Sequence, residues 1–191
     1  MTGSDPVTSA PPDLQEPQLT LRGLYILRHA KSSWDSPALP DHERPLDPRG
    51  ERGALVMGRF IAQRRFLPDL VLCSTAVRAQ ETLALVSSQW PGVPPTELIP
   101  QLYLNGEREL MRAIMAVDDI HRTVMVVAHN PDLHDLVTTL ARRGDAALLD
   151  RATAKFPTAA FAAIKLPLAH WAGIGHATGT LACFATPRDL V

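Results

Sequence analysis

Arg28 and His29 stand side by side after the apolar run Leu24-Tyr25-Ile26-Leu27, and Lys31, Ser32 and Ser33 follow closely. A guanidinium stays charged and offers paired donors that match the oxygens of a phosphoryl group. An imidazole with an ordinary pKa of about 6.5 is largely neutral near neutrality and is a competent nucleophile towards phosphorus. Lys31 and Ser32 add a cation and a hydroxyl, and are candidate substrate-binding groups. Matching chemistry ends two other apolar runs. Ser74-Thr75-Ala76-Val77-Arg78 follows the run at 69–73, and His129-Asn130 follows the run at 123–128. If these three segments converge, two guanidiniums and two imidazoles meet. Phosphoryl transfer calls for such a set, because its transition state spreads charge over three equatorial oxygens.

Convergence requires the runs to be neighbouring parallel strands. The spacing predicts strands over 24–28, 69–73 and 123–128, a short one over 97–99, and two closing strands over 159–166 and 180–185. The glycines between the last two, Gly173, Gly175 and Gly179, allow an antiparallel pair. Helices are predicted between them. Asp47 caps one with Pro48 in its first turn, running to about Arg65 with Leu55, Val56, Phe60 and Ile61 on its inner side. Ser74 or Thr75 caps the next, to about Gln89. A third covers 107–117, and Asn130-Pro131 starts a fourth. Strands alternating with helices, the strands apolar almost throughout, indicate a three-layer α/β/α sandwich with a mostly parallel central sheet. Ligands bind such sheets beyond the carboxyl ends of the strands, where the three segments lie.

The bulk numbers agree with one such domain. The chain has 191 residues, 46% hydrophobic and 20% charged, with a formal net charge of −1, so any anion site is local. Nucleic acid and membrane surfaces are not expected partners, and aromatic content of 5% offers no base-stacking platform. Cys73 and Cys183 read as buried thiols rather than a disulfide framework. Residues 1–20 carry Pro6, Pro11, Pro12 and Pro17 and lack the pattern of a signal peptide. A disordered arm over 1–20, a single domain over 21–191, a cytoplasmic location and a monomer are the expectations. His129 and His134 are five apart, with no His-Glu-x-x-His run, so no metal site and no cofactor are expected. Asp118-Asp119 and Arg142-Arg143 read as solvated faces, and Trp34 either walls the pocket or packs on the surface.

Taken in order, these segments resemble the histidine phosphatase superfamily, which includes phosphoglycerate mutases and acid phosphatases, and most of all its small SixA-type phosphohistidine phosphatases. Leu24–Ser32 is similar to the opening motif, with Ala30 where glycine is usual. Arg44-Pro45-Leu46 is similar to the segment before the first helix, and Ser74–Thr82 (STAVRAQET) to the second arginine motif. Val127-Ala128-His129-Asn130 is similar to the second histidine motif, and Lys155–Ala160 to the stretch before the penultimate strand. The resemblance implies a phosphoglycerate mutase-like fold. It implies His29 as nucleophile, Arg28, Arg78 and His129 as holders of the phosphoryl oxygens, and Arg44 as a further phosphate ligand. It also implies a phosphorylated protein or small phosphorylated molecule as partner.

Larger superfamily members carry a carboxylic acid after the third strand as proton donor. Here that region reads Leu102-Tyr103-Leu104-Asn105-Gly106, with no carboxylate before Glu107. Asp41 and Glu43 remain possible substitutes. An alkoxide leaving group needs such an acid, whereas an imidazole can leave neutral after protonation from solvent. The expected activity is therefore hydrolysis of phosphohistidine. A phosphomonoesterase acting on small molecules and a non-catalytic phosphoprotein-binding module are the alternatives.

Overall fold

Strands that are apolar on both faces need cover on both faces, and the computed structural model, which describes residues 21–191, supplies it. The arm expected over residues 1–20 lies outside the described residues. Seven strands form one sheet: β1 (Leu21–Arg28), β2 (Leu70–Ser74), β3 (Thr96–Ile99), β4 (Thr123–Ala128), β5 (Ala141–Gly144), β6 (Phe161–Pro167) and β7 (Gly179–Ala185). Their order is β3-β2-β4-β1-β6-β7-β5. Only β6 runs against the rest, pairing antiparallel with β1 and β7. Five helices cover the sheet: α1 (Pro48–Gln63), α2 (Val77–Ser87), α3 (Glu107–Met115), α4 (Asp132–Leu140) and α5 (Ala146–Ala154).

Alternate residues of each strand feed opposite cores. Tyr25, Leu27, Val71, Cys73, Met125 and Val127 face Ala54, Met57 and Ile61 of α1 and Ala79, Leu83 and Val86 of α2. Leu24, Ile26, Leu70, Leu72, Val124 and Val126 face Leu110 and Ile114 of α3 and Leu133, Leu136 and Val137 of α4. The predicted sandwich is therefore the observed one. None of the helices among the described residues is long and apolar enough to cross a membrane.

Several local expectations need correcting. The buried side of α1 is Gly50, Ala54, Met57, Gly58 and Ile61. Phe60, predicted to point inward, packs half-buried against that core, whereas Leu55 and Val56 are half-buried outside it, because the sheet covers a narrower stripe than the helix's apolar residues span. Asp47 does cap α1, its Oδ1 accepting from Gly50 N at 2.6 Å. Neither Ser74 nor Thr75 caps α2; Ala76 occupies that position without a side-chain bond. Asn130 does not cap α4: Pro131 stands at the N-cap, and Asn130 Nδ2 donates to the Phe156 carbonyl at 2.8 Å. The short strand β5 and helix α5 were not foreseen.

The loop between β1 and α1 is tied back on itself. Asp47 N donates to the Lys31 carbonyl at 3.0 Å, Ser33 N donates to Pro45 O at 2.9 Å, and Ser32 bridges to Leu46. Gly50 makes this closure possible, since a Cβ there would lie 2.1 Å from the Lys31 carbonyl oxygen. Backbone cannot swing away as a side-chain tip can. Gly50→Ala is expected to lower unfolding free energy by about 3 kcal/mol. An unchanged midpoint in urea denaturation would contradict this.

Candidate active site

Register places the three chemical segments together. Arg28 pairs with Ala128 across β1 and β4, and Cys73 pairs with Val127 across β2 and β4. The three strands therefore end at one level, and the next residues, His29, Ser74 and His129, share one rim. His29 N donates to Ala128 O at 3.1 Å, and Ala159 N donates to His29 O at 3.1 Å.

The tautomer of His29 follows from its contacts. Nδ1 lies 2.7 Å from the Ala30 carbonyl, which only accepts, so Nδ1 carries the proton. Nε2 is left with its lone pair, which is the form a nucleophile needs. The Ala30 methyl is accommodated, since it is fully buried within the core beneath α1 and α2. Ala30 N donates to Thr82 Oγ1 at 2.9 Å, and Thr82 Oγ1 donates to the Arg78 carbonyl at 2.5 Å. This chain ties the histidine loop to the first turn of α2, where Arg78 sits.

His129 faces His29 with ring centroids 4.9 Å apart. Its Nε2 is 2.8 Å from Ser74 Oγ, and its Nδ1 is buried without a partner among the described residues. The tautomer in which Ser74 donates to Nε2 puts a proton on Nδ1, where it can be given to a ligand. Arg28 has the same character: Nη1 donates to Phe156 O at 2.9 Å, while Nε is buried and unpartnered. A buried donor without an acceptor costs about 1–3 kcal/mol. Both unpartnered nitrogens belong to residues that flank His29, Arg28 in sequence and His129 across the rim.

Arg78 is positioned by Asp41. Its Nη2 donates to Asp41 Oδ2 at 2.8 Å and its Nη1 to the Asp41 carbonyl. Tyr103 Oη donates to the same Oδ2 at 2.6 Å, and Arg44 Nη1 donates to Oδ1 at 3.0 Å. The Tyr103 bond above all, then Arg78 and Arg44, hold the Asp41 carboxyl down to about 2. Asp41 is therefore ionised near neutrality.

Arg44, the further phosphate ligand that the resemblance implies, makes its contacts within the β1–α1 loop. Nε and Nη2 donate to Ser33 O at 2.9 and 2.8 Å, and Nη2 also reaches Ser32 Oγ at 3.0 Å. Trp34 stacks on its guanidinium, 3.2 Å from carbon to ring centroid, and is itself exposed rather than walling the pocket. Arg44 thus braces the β1–α1 loop. Ser32 is buried in that brace, so its hydroxyl faces Arg44 rather than His29. The Lys31 side chain is exposed and makes no hydrogen bond or ion pair with any described residue. Ser74, Thr82 and Tyr103 are the site residues that sequence reasoning missed. Ser74 and Thr82 were visible only as parts of STAVRAQET, and Tyr103 only as the non-acidic residue where an acid was sought.

Burial pushes the His29 imidazole down to about 4, with the Arg78 and Arg28 charges adding to it against the Ala30 hydrogen bond. Burial, then His29 and Arg78, push His129 down to about 3. Both rings are neutral at physiological pH. The acid limb of kcat/KM, which reports the free enzyme, is expected near about 4 rather than at the ordinary imidazole value of about 6.5. A limb centred at the ordinary value would contradict this placement of His29. Stability follows the same sign. Below the ordinary value the unfolded chain binds protons that folded His29 and His129 refuse. Stability therefore falls as pH drops through that window and is unaffected by these groups above it.

A sheet whose carboxyl rim presents a tautomer-fixed histidine, two arginines and a second histidine defines a phosphoryl-handling α/β protein. Comparison with known proteins agrees. Residues 24–103 match the Histidine phosphatase superfamily (branch 1). The uncharacterized protein Rv1276c of Mycobacterium tuberculosis (strain ATCC 25618 / H37Rv) is 35% identical over 164 residues, spanning 85% of this chain and 100% of that one. The solved structure of a candidate phosphohistidine phosphatase SixA from Nakamurella multipartitia is 30% identical, with a TM-score of 0.75 over 88% of this chain and 97% of that one. Its counterpart from Agrobacterium tumefaciens is 28% identical, with a TM-score of 0.72 over 87% and 98% of the two chains. The chain belongs to the histidine phosphatase superfamily and is of the SixA type.

Proposed function

We propose that this protein hydrolyses phosphohistidine in a phosphorylated protein, through a covalent phosphohistidine intermediate on His29, with no metal required. The observation that carries the reading is the free Nε2 of His29 together with two buried, unpartnered nitrogens of its neighbours, Arg28 Nε and His129 Nδ1. In the first step the Nε2 lone pair attacks phosphorus as the P–N bond to the substrate imidazole breaks. The departing imidazole takes its proton from water. Arg28, Arg78 and His129 Nδ1–H meet the charge on the three equatorial oxygens, which is where preorganised donors contribute most. In the second step water attacks the phosphorus on His29, releasing inorganic phosphate and restoring neutral Nε2. Lys31 is free to approach the substrate from the loop edge, whereas Ser32 and Arg44 support that loop.

The choice of phosphorus–nitrogen over ester bonds rests on the proton donor. Asp41 is held as a carboxylate by Tyr103 and two arginines, and Tyr103 itself is pushed up by burial and by Asp41. Neither is a ready acid near neutrality. Unless Glu43 supplies the proton, an alkoxide therefore leaves poorly, while an imidazole does not need such help. The test compares kcat/KM for a phosphohistidine peptide with that for an alkyl phosphate ester. The phosphoramidate is expected to be favoured by about a hundredfold or more. Faster ester turnover would make the protein a phosphomonoesterase. Tight binding of the phosphopeptide without turnover of either would make it a binding module.

A further inference from the structure

A groove of about 790 Å³ lies beside the histidine pocket. It shares walls with the site. Ala30 and Lys31, which line it, directly follow His29. Pro157, Thr158 and Ala159 also line it, and they follow Phe156, whose carbonyl receives both Arg28 and Asn130. The floor is apolar. Leu55 and Val56, the α1 residues that the sequence pattern turned inward, lie along it with Pro187 and the buried Phe184 ring.

The rim is cationic. Lys31, Arg49, Arg52, Arg59, Lys155 and Arg188 line the groove, are exposed, and form no ion pair with any described residue. Arg151 is the one cation of the lining that is paired, to Asp189. No aspartate or glutamate side chain among the described residues lines the groove. Six cations without an ion-pair partner among the described residues, around one cavity on a chain of net charge −1, are a local concentration of positive charge. Such a field draws in acidic partners and orients them.

From this juxtaposition we propose that the groove is a docking site for an acidic, leucine-type apolar segment of the phosphoprotein substrate, lying next to the phosphohistidine delivered to His29. The proposal rests on the phosphoprotein reading above. Charge complementarity selects an acidic partner, and the apolar floor selects a protein segment. A nucleic acid would leave that floor uncovered and find no exposed aromatic face on which to stack. Docking energy gathered here acts on substrate capture rather than on chemistry, so it appears in KM.

The test has a binding arm that needs no catalysis. A fluorescent twelve-residue peptide of glutamate and leucine, carrying no phosphate, is titrated with the full chain. It is expected to bind, to weaken as salt is raised, and to lose at least about tenfold in affinity with R52E/R59E or with R49E/R188E on the other wall. A lysine–leucine peptide should not bind. In the kinetic arm, R52E/R59E should raise KM at least about tenfold for a phosphohistidine in an acidic peptide, with kcat unchanged and a small phosphoramidate unaffected. Equal peptide binding by wild type and both variants would overturn the proposal, as would tighter binding of a dT oligonucleotide. Tighter peptide binding on D5N/D13N/E16Q substitution would show the chain's own acidic N-terminal segment to be the occupant and overturn it. Self-association abolished by R52E/R59E would do the same in favour of a second copy. If no phosphate ester or phosphoramidate is turned over, the catalytic reading fails and the binding arm still decides this one.

Discussion

His29→Ala is expected to reduce phosphatase turnover by about ten-thousandfold or more while leaving the protein folded. The size follows from what the ring does. Nε2 keeps its lone pair because the Ala30 carbonyl, 2.7 Å from Nδ1, fixes the tautomer. Without it, water must attack the substrate directly, with only the donors left to help. The structural loss is small by comparison, because the ring's hydrogen bond contributes about 1 kcal/mol net. The variant should also tolerate acid better than the wild type. It removes a buried imidazole that resists protonation down to about 4, and with it part of the destabilisation below the ordinary histidine pKa. Two measurements check this. Rapid quench with a radiolabelled phosphohistidine substrate should show acid-labile, base-stable phosphate on the wild type and none on His29→Ala. Thermal unfolding near neutrality should give similar midpoints. Turnover retained in a folded variant would remove His29 from the mechanism.

The sequence made the positions of His29, Arg78 and His129 legible for a simple physical reason. Each follows a strand that is apolar on both faces, and parallel strands buried on both faces deliver their next residues to one rim. The order β2-β4-β1, with matched ends, then does the rest. Asp47 and Pro48 were legible because cap chemistry is local. What could not be read depends on partners distant in sequence. Strand β5 consists of Ala141-Arg142-Arg143-Gly144, largely exposed, and is a strand because β7 offers it backbone to pair with. Ser74 looks like a helix cap in any window of sequence, yet its hydroxyl serves His129, which is 55 residues away. Arg44 carries the same charge wherever it points, and its contacts with the Ser33 carbonyl and the Trp34 ring are not written in its own sequence window. The apolar stripe of α1 was visible but wider than its core contact. Its surplus, Leu55 and Val56, became the floor of the groove.

Arg78→Ala is expected to lower kcat/KM by about a hundredfold to a thousandfold, the usual range for loss of one preorganised donor at a charge-bearing oxygen. The guanidinium is buried and held by Asp41 through Nη1 and Nη2. Its remaining N–H groups are therefore fixed in direction before substrate arrives, and that spares reorganisation at the moment of reaction. Arg78→Lys keeps the charge but loses the planar fork, so it should recover only part of the loss. The pH profile supplies a signature that a merely structural role would not. Arg78 is one of the charges that hold the His29 imidazole down. Removing it must let the imidazole rise, because protonation no longer brings two cations together. The acid limb of kcat/KM should move up in Arg78→Ala and stay near the wild-type position in Arg78→Lys. Asp41 should move upward as well, having lost a hydrogen-bonding cation. If the limb stays fixed while activity falls, Arg78 acts only through loop geometry and the electrostatic account of His29 is wrong.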